Sequence, residues 1–132
     1  MTACGSLVSV VDDDESVRES LPDLLRQFGL AAEAFPSAEA FLASDVVSKT
    51  SCLLLDVAMP GMSGPDLERE LTRRRRKIPI VFITAYGDRA ISTRLLARGA
   101  VNCLVKPFSE ATLLEAVRTA LGQRCPRPMT AR

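Results

Sequence analysis

The stretch CLLLDVAMPGMSG, residues 52–64, decides the fold. It opens with an apolar run, residues 52–55, which leads without a polar interruption into Asp56. A continuously apolar run of this length is typical of a strand that is buried on both faces of a parallel sheet. Open parallel sheets bind ligands beyond the carboxyl ends of their strands, so Asp56 is the first candidate site residue.

Similar apolar runs lie on both sides of this stretch, at residues 7–11, 31–35, 78–83 and 101–105. The segments between them carry apolar residues at helical spacing, which predicts alternating strands and helices. Gly29 and Gly122 are the predicted ends of the first and last helices, and Ser109 is the predicted N-cap of the last. Pro22, inside the first helix, predicts a bend. The pattern predicts an α/β three-layer sandwich with right-handed crossovers.

The composition narrows the chemistry that this chain can perform. It has 132 residues, enough for one domain, and 17 basic residues balance 16 acidic ones. Such a balance argues against a dedicated nucleic-acid or membrane-surface protein. The absence of histidine excludes Ser-His-Asp and Cys-His catalysis and the common zinc sites that use histidine.

The cysteines and the hydropathy pattern bear on the compartment. The four cysteines are widely spaced and form no Cys-x-x-Cys motif, which predicts reduced thiols rather than a zinc site or a disulfide framework. No apolar run approaches the ~18–20 residues that span a bilayer. The amino terminus lacks the basic region of a signal peptide. We therefore expect a cytoplasmic protein without a membrane partner.

Charged and hydroxyl side chains end four of the five predicted strands. The first strand runs into Asp12 and Asp13, the third ends at Asp56, the fourth at Thr84 and the fifth at Lys106. Each has a plainer interpretation on its own, as a helix start, a turn or a good strand former. Together they would meet at one edge, where two carboxylates ~4 Å apart repel by about 4 kcal/mol at an effective dielectric of 20. Such a cluster favours a hard divalent ion such as Mg²⁺.

Four segments carry a resemblance to a known family: VVDDDESVR from Val10, LLLDVAMPGMSG from Leu53, ITAYGD from Ile83 and GAVNCLVKPF from Gly99. The sequence resembles the receiver domain of bacterial two-component response regulators, and FPSAEAFL from Phe35 is similar to the FixJ-type branch. The resemblance implies a doubly wound five-stranded parallel sheet with flavodoxin-like topology and strand order 2-1-3-4-5. It also implies a receiver domain over residues 1–122, with a flexible tail or the start of a linker at 123–132.

The resemblance assigns roles to residues at the sheet edge. Asp56 would accept a phosphoryl group from a partner sensor histidine kinase. Asp12, Asp13, Asp56 and the main-chain carbonyl of Ala58 would hold Mg²⁺, with Mn²⁺ as a substitute. Lys106 would contact the phosphoryl oxygens.

Thr84 would contact the same oxygens and report the arrival of the phosphoryl group. The Lys106–Pro107 peptide would be cis, a form that X-Pro bonds adopt at low cost. Receivers usually carry an aromatic residue where this chain has Cys103, and a small thiol cannot produce the same steric readout. Tyr86 is a candidate gate or signal in its place.

By the same resemblance, phosphorylation would control an output domain or partner, in a transcriptional system. We expect phosphorylation-dependent homodimers through the fifth strand and the fourth predicted helix, which follows Asp88. DNA would be reached only through an output domain that this chain does not contain. The basic run at residues 73–77 is predicted to end the third helix as solvated cations, with weak nucleic-acid contact as the alternative.

Three other functions compete with a signalling module that is not an enzyme. A Mg²⁺-dependent phosphohydrolase of the haloacid-dehalogenase type would use an aspartyl-phosphate intermediate, but it requires a second aspartate where this chain has Ala58. A flavodoxin-like or nucleotide-binding module would not place four acids after the first strand, because they repel phosphate. A degenerate receiver that only binds partners would not need the complete set of phosphorylation residues.

Overall fold

Five strands form a single parallel sheet in the computed structural model, which describes residues 7–84, 93–94, 96–97, 100–106 and 108–124. The sheet order is β2-β1-β3-β4-β5, which confirms the predicted topology. The strand bounds are β1 (Leu7–Val11), β2 (Ala31–Phe35), β3 (Thr50–Asp56), β4 (Ile80–Thr84) and β5 (Asn102–Val105).

Helices cover both faces of the sheet. They are α1 (Glu15–Gln27), α2 (Ala38–Ala43), α3 (Gly64–Arg73) and α4 (Glu110–Arg124), with a 3₁₀ turn at Val47–Lys49. Residues 93, 94, 96 and 97, between β4 and β5, are also helical. One buried cluster joins the sheet to α1 and α4, and a second joins it to α2 and α3. The result is the predicted three-layer sandwich.

The strand limits agree with the apolar runs to within two residues. The bounds of β1 and β2 are those predicted, whereas β3 begins earlier, at Thr50, and includes Asp56. Strand β4 begins at Ile80 rather than at residue 78, since Pro79 has no N–H to give to a ladder. Strand β5 begins at Asn102, one residue later than predicted.

Two helices end in the same hydrogen-bond motif. After α1, Gly29 has φ +85°, and the N–H groups of Gly29 and Leu30 donate to Arg26 and Leu25. This is the Schellman arrangement, and it confirms Gly29 as the end of the first helix. After α3, the N–H groups of Arg75 and Arg76 donate to the carbonyls of Thr72 and Leu71 in the same way, and Arg75 has φ 60°.

The end of α3 corrects the prediction for the basic run. The helix stops at Arg73 with Arg74 as its cap, so Arg75, Arg76 and Lys77 lie beyond it. All five residues are exposed. The Schellman bonds reverse the chain at Arg75, so most of the cations follow the helix rather than continuing it.

The last helix contradicts one prediction and confirms another. Helix α4 continues through Gly122 to Arg124, so Gly122 does not terminate it. A glycine ends a helix when it turns left-handed, and Gly122 has no positive φ. Ser109 is the expected cap, since its Oγ accepts from the Thr112 N–H at 3.1 Å.

Two predictions about the helices concern Pro22 and the membrane. Helix α1 is continuous through Pro22, and the bend stays a prediction. Among the residues that the structure describes, no helix has the length and apolar character needed to cross a membrane.

Candidate functional site

Asp12 stands at the carboxyl end of β1 and is fully buried. Its N–H donates to the Phe35 carbonyl at 3.2 Å, and its Oδ1 accepts from the Asp14 N–H at 2.9 Å. The Arg18 Nη1 donates to the Asp12 carbonyl at 3.1 Å. This last contact could not be predicted from the sequence, apart from the position of Arg18 early in α1. These bonds fix Asp12 at the sheet edge.

The acidic run after β1 divides into two groups with different surroundings. Asp14 is the N-cap of α1, where its Oδ1 accepts from the Ser16 N–H at 2.9 Å, and Glu15 lies in the first helical turn. Both residues therefore fit the plainer interpretation of a helix start, in which acids complement the helix dipole. Asp12 and Asp13 remain as candidate site residues.

Three carboxylates converge at the predicted edge. Asp12, Asp13 and Asp56 each offer an oxygen, and these oxygens lie within 4.8 Å of one another. Asp12 and Asp56 are buried, whereas Asp13 is exposed. The strand-end pattern thus predicted correctly which acids come together.

The crowding changes the acidity of Asp56. Burial raises its pKa most, the negative charge of Asp12 raises it further, and the Lys106 ammonium partly opposes both. The resulting pKa is about 7, against an ordinary value of 3.8. Like charges in a partly buried cluster disfavour ionisation of the last carboxyl, so the cluster requires added positive charge to be fully ionised.

One cation reaches this cluster from the end of β5. The Lys106 Nζ lies 3.4 Å from Asp12 Oδ2, as an ion pair rather than a well-aligned hydrogen bond. Within the described part of the chain, this buried Oδ2 has no hydrogen-bond partner. Three carboxylates, one ammonium and an unsatisfied buried oxygen fit a hard divalent cation that prefers oxygen ligands.

Thr84 and Lys106 meet at the same edge through their main chains. Thr84 is the last residue of β4 and is 1% exposed, and Lys106 directly follows β5. The Lys106 N–H donates to the Thr84 carbonyl at 2.9 Å. The structure therefore places both predicted residues at the carboxyl edge of the sheet, with the Lys106 ammonium beside Asp12.

The loop after β3 is closed tightly at its base. The Val57 N–H donates to the Ile83 carbonyl at 2.9 Å, and the Gly64 N–H donates to the Val57 carbonyl at 3.0 Å. A Cβ on Gly64 would lie 2.4 Å from the Asp56 carbonyl oxygen. Only a glycine lets the first turn of α3 pack this closely on the backbone of Asp56, a role that the sequence did not reveal.

Of the remaining predicted residues, the structure describes Cys103 and Ala58. Cys103 is half-buried in β5 and packs against the cluster on the α2 and α3 side. Tyr86 and Pro107 lie outside the described residues, as do Cys4 and Cys125. Ala58 is exposed in the loop after Asp56.

Comparison with known proteins identifies the family to which this fold belongs. The family model of the response regulator receiver domain matches residues 8–118. The chain belongs to this family. It is therefore a domain of a signalling response regulator rather than a classical enzyme.

The receiver domain is similar to several regulators. It is 48% identical over 115 residues to Nodulation protein W of Bradyrhizobium diazoefficiens, and the aligned region covers 87% of this chain and 51% of that protein. It is 43% identical over 121 residues to the response regulator TodT of Pseudomonas putida, covering 92% and 53%. The crystal structure of FixJ-N aligns with a TM-score of 0.79 and 38% identity, covering 87% and 92%.

These comparisons confirm the FixJ-type resemblance. The chain spans about half the length of the curated relatives that it matches, 51% and 53% in the two cases given.

Proposed function

We propose that this receiver domain accepts a phosphoryl group on Asp56 from a phosphohistidine of its sensor kinase. The observation that carries the proposal is the cluster of Asp12, Asp13 and Asp56, whose carboxylate oxygens lie within 4.8 Å of one another. Lys106 and Thr84 share its sheet edge. The chain has no histidine, so the imidazole that the transfer requires belongs to the partner.

The transfer uses the Asp56 carboxylate as the nucleophile. One of its oxygens forms a bond to phosphorus while the bond from phosphorus to the kinase's imidazole nitrogen breaks, and the imidazole leaves with that electron pair. The product is an acyl phosphate on Asp56. The Lys106 ammonium and the Thr84 hydroxyl bind the phosphoryl oxygens and stabilise the charge on them.

Asp12, Asp13, Asp56 and the main-chain carbonyl of Ala58 hold a divalent cation in this proposal, Mg²⁺ with Mn²⁺ as a substitute. When bound, the cation supplies the positive charge that keeps the carboxylates ionised and that offsets the charge of the phosphoryl group. The raised pKa of Asp56 supports this requirement, because without added positive charge that carboxyl is partly protonated near neutral pH.

Phosphorylation then alters the surface formed by β5 and the segment before it. Leu96 and Val105 are 44% and 40% exposed, and they offer apolar contacts for a phosphorylation-dependent homodimer. Cys103, beside Val105, replaces the usual aromatic residue, so the switch works by a different side-chain movement. The domain regulates transcription through an output domain that contacts DNA, in line with its relative FixJ of Azorhizobium caulinodans, which is a transcriptional regulatory protein.

Intact mass spectrometry tests the phosphoacceptor. The protein is incubated with Mg²⁺ and acetyl phosphate, and a single phosphoryl adduct is expected. Asp56→Asn should carry no adduct, whereas the matched control Asp14→Asn, which changes the α1 cap outside the cluster, should carry one as the wild type does. An adduct that persists in Asp56→Asn would contradict the assignment.

A further inference from the structure

The loop between β3 and α3 is joined to α2 by one side chain. The Met62 N–H donates to Glu39 Oε2 at 3.2 Å, across 23 positions of sequence. Within the part of the chain that the structure describes, no other hydrogen bond joins residues 58–62 to a different helix or strand. Glu39 therefore supplies the hydrogen bond that ties the middle of this loop to α2, beside the apolar packing of Met59 and Met62 against the core.

The loop backbone is shaped to admit this carboxylate. Gly61, next to the bonded N–H, has φ +78°, a conformation that L side chains rarely adopt. A Cβ at this position would lie 3.0 Å from Glu39 Oε2. The turn and the missing side chain together leave room for the carboxylate against the loop.

Glu39 is itself held on a well-anchored helix. Ser37 caps α2, since its Oγ accepts from the Ala40 N–H at 3.0 Å. Phe41, in the same helix, is fully buried and lies edge-on to Phe35, with ring centroids 5.4 Å apart. The position of the carboxylate is thus set by the core and by the cap of α2, although the side chain is exposed.

We propose that Glu39 is a positioning residue for the metal site. It orders the loop that carries Ala58, whose main-chain carbonyl is one of the proposed ligands. The inference rests on the proposed function for its metal, but the residue contacts neither the metal nor the reacting atoms. Its effect is to hold the loop backbone in the conformation that presents a ligand, so less ordering is left for the cation to impose.

Two variants separate the hydrogen bond from the charge. Glu39→Ala removes both, whereas Glu39→Gln removes the charge and keeps an oxygen that can accept from the Met62 N–H. Mg²⁺ affinity is measured by calorimetric titration, and exchange of the Met62 amide is followed by NMR in metal-free protein. Glu33→Ala, which removes an exposed carboxylate of β2, is the matched control.

The expected loss follows from the size of one exposed hydrogen bond. Glu39→Ala should bind Mg²⁺ about threefold more weakly and should exchange the Met62 amide faster than wild type. Glu39→Gln and Glu33→Ala should stay close to wild type in both measurements. Equal losses in Glu39→Ala and Glu39→Gln would overturn the proposal, because the charge alone would then act.

Unchanged Mg²⁺ affinity in Glu39→Ala would also overturn it. This outcome is distinguishable from failure of the proposed function, because neither measurement involves a phosphoryl group. A third outcome is that wild type binds Mg²⁺, Glu39→Ala binds it more weakly, and wild type takes no phosphoryl adduct. That outcome would refute the phosphoacceptor assignment and leave the positioning role of Glu39 intact.

Discussion

The strands of the sheet end at a carboxyl edge and begin at an amino edge. The clusters beside these two edges have opposite charges and differ in solvent exposure. At the carboxyl edge, Asp12 and Asp56 are buried beside Asp13. At the other edge, residues 73–77 form an exposed basic run between α3 and the start of β4. Both clusters contribute to a formal net charge of only +1, so the near neutrality of the chain conceals two strongly charged regions.

Two carboxyl groups, one beside each cluster, show how their surroundings change the pKa. The pKa of Asp56 is raised to about 7, first by burial and then by the charge of Asp12. The pKa of Glu70 is lowered to about 2, first by the hydrogen bond from Arg73 and then by that from Arg74. The carboxyl edge holds unfavourable charge that a ligand can relieve, whereas at the basic edge Arg73 and Arg74 are already paired with Glu70 and the run is exposed.

The largest effect is expected from Asp12→Asn. It removes a proposed ligand, so Mg²⁺ affinity measured by titration should fall by at least about tenfold, the lower limit for groups that merely support ligands. In metal-free protein the same change removes one of two crowded buried charges, and the melting temperature should rise. Asp14→Asn, at the helix cap, is the control and should preserve Mg²⁺ affinity. A melting temperature that falls in Asp12→Asn without metal would contradict the view that the pocket is strained by charge.

The pH dependence of stability should have opposite signs at the two edges. The folded state of metal-free protein binds the Asp56 proton more tightly than the unfolded chain does, so this group's contribution falls as the pH rises from about 4 to about 7. The lowered pKa of Glu70 gives a contribution that is present above about 4.5 and is lost as the pH falls towards 2. Chemical unfolding of wild type, Asp56→Asn and Glu70→Gln between about pH 2 and pH 7 measures the two contributions to the free energy of unfolding. Equal slopes in wild type and Asp56→Asn between pH 4 and 7 would refute the first expectation.

Gly64→Ala tests the packing that supports the carboxyl edge. The added Cβ would meet the Asp56 carbonyl oxygen at 2.4 Å, so α3 must move away, at a cost of about 1–3 kcal/mol in the free energy of unfolding. Gly122→Ala is the matched control, since its Cβ meets nothing within 4 Å inside α4. That control should gain about 0.5–1 kcal/mol in denaturant unfolding. Comparable stabilities of the two variants would show that the close approach is not rigid.

The smallest effect is expected at the basic edge. Arg75 has φ 60° in the position of the Schellman motif that glycine usually takes. Arg75→Gly should therefore raise the free energy of unfolding by up to about 1 kcal/mol and leave Mg²⁺ affinity unchanged. Arg76→Gly, which relieves no positive φ, should bring no gain. A change in Mg²⁺ affinity in either variant would show that the two edges are coupled.

The strand-end residues could be predicted because parallel topology alone brings them together. Asp12, Asp13 and Asp56 needed only the order of strands and their carboxyl ends. Glu39 could not be predicted, because its bond to Met62 crosses 23 positions and depends on the path of a loop. The same limit applied to Gly122, where the residue type suggested a helix end but the backbone stays helical. Local residue preferences give the elements, whereas loop paths depend on tertiary contacts.

The main-chain bond from Lys106 to Thr84 has a mechanical consequence. Together with the bond from Val57 to Ile83, it joins the ends of β3, β4 and β5 by main-chain hydrogen bonds into one continuous rim. We expect a backbone displacement at Thr84 to move Lys106 as well, and Val105 directly precedes that lysine. This rim is a continuous main-chain connection between the buried carboxylates and the exposed surface of β5.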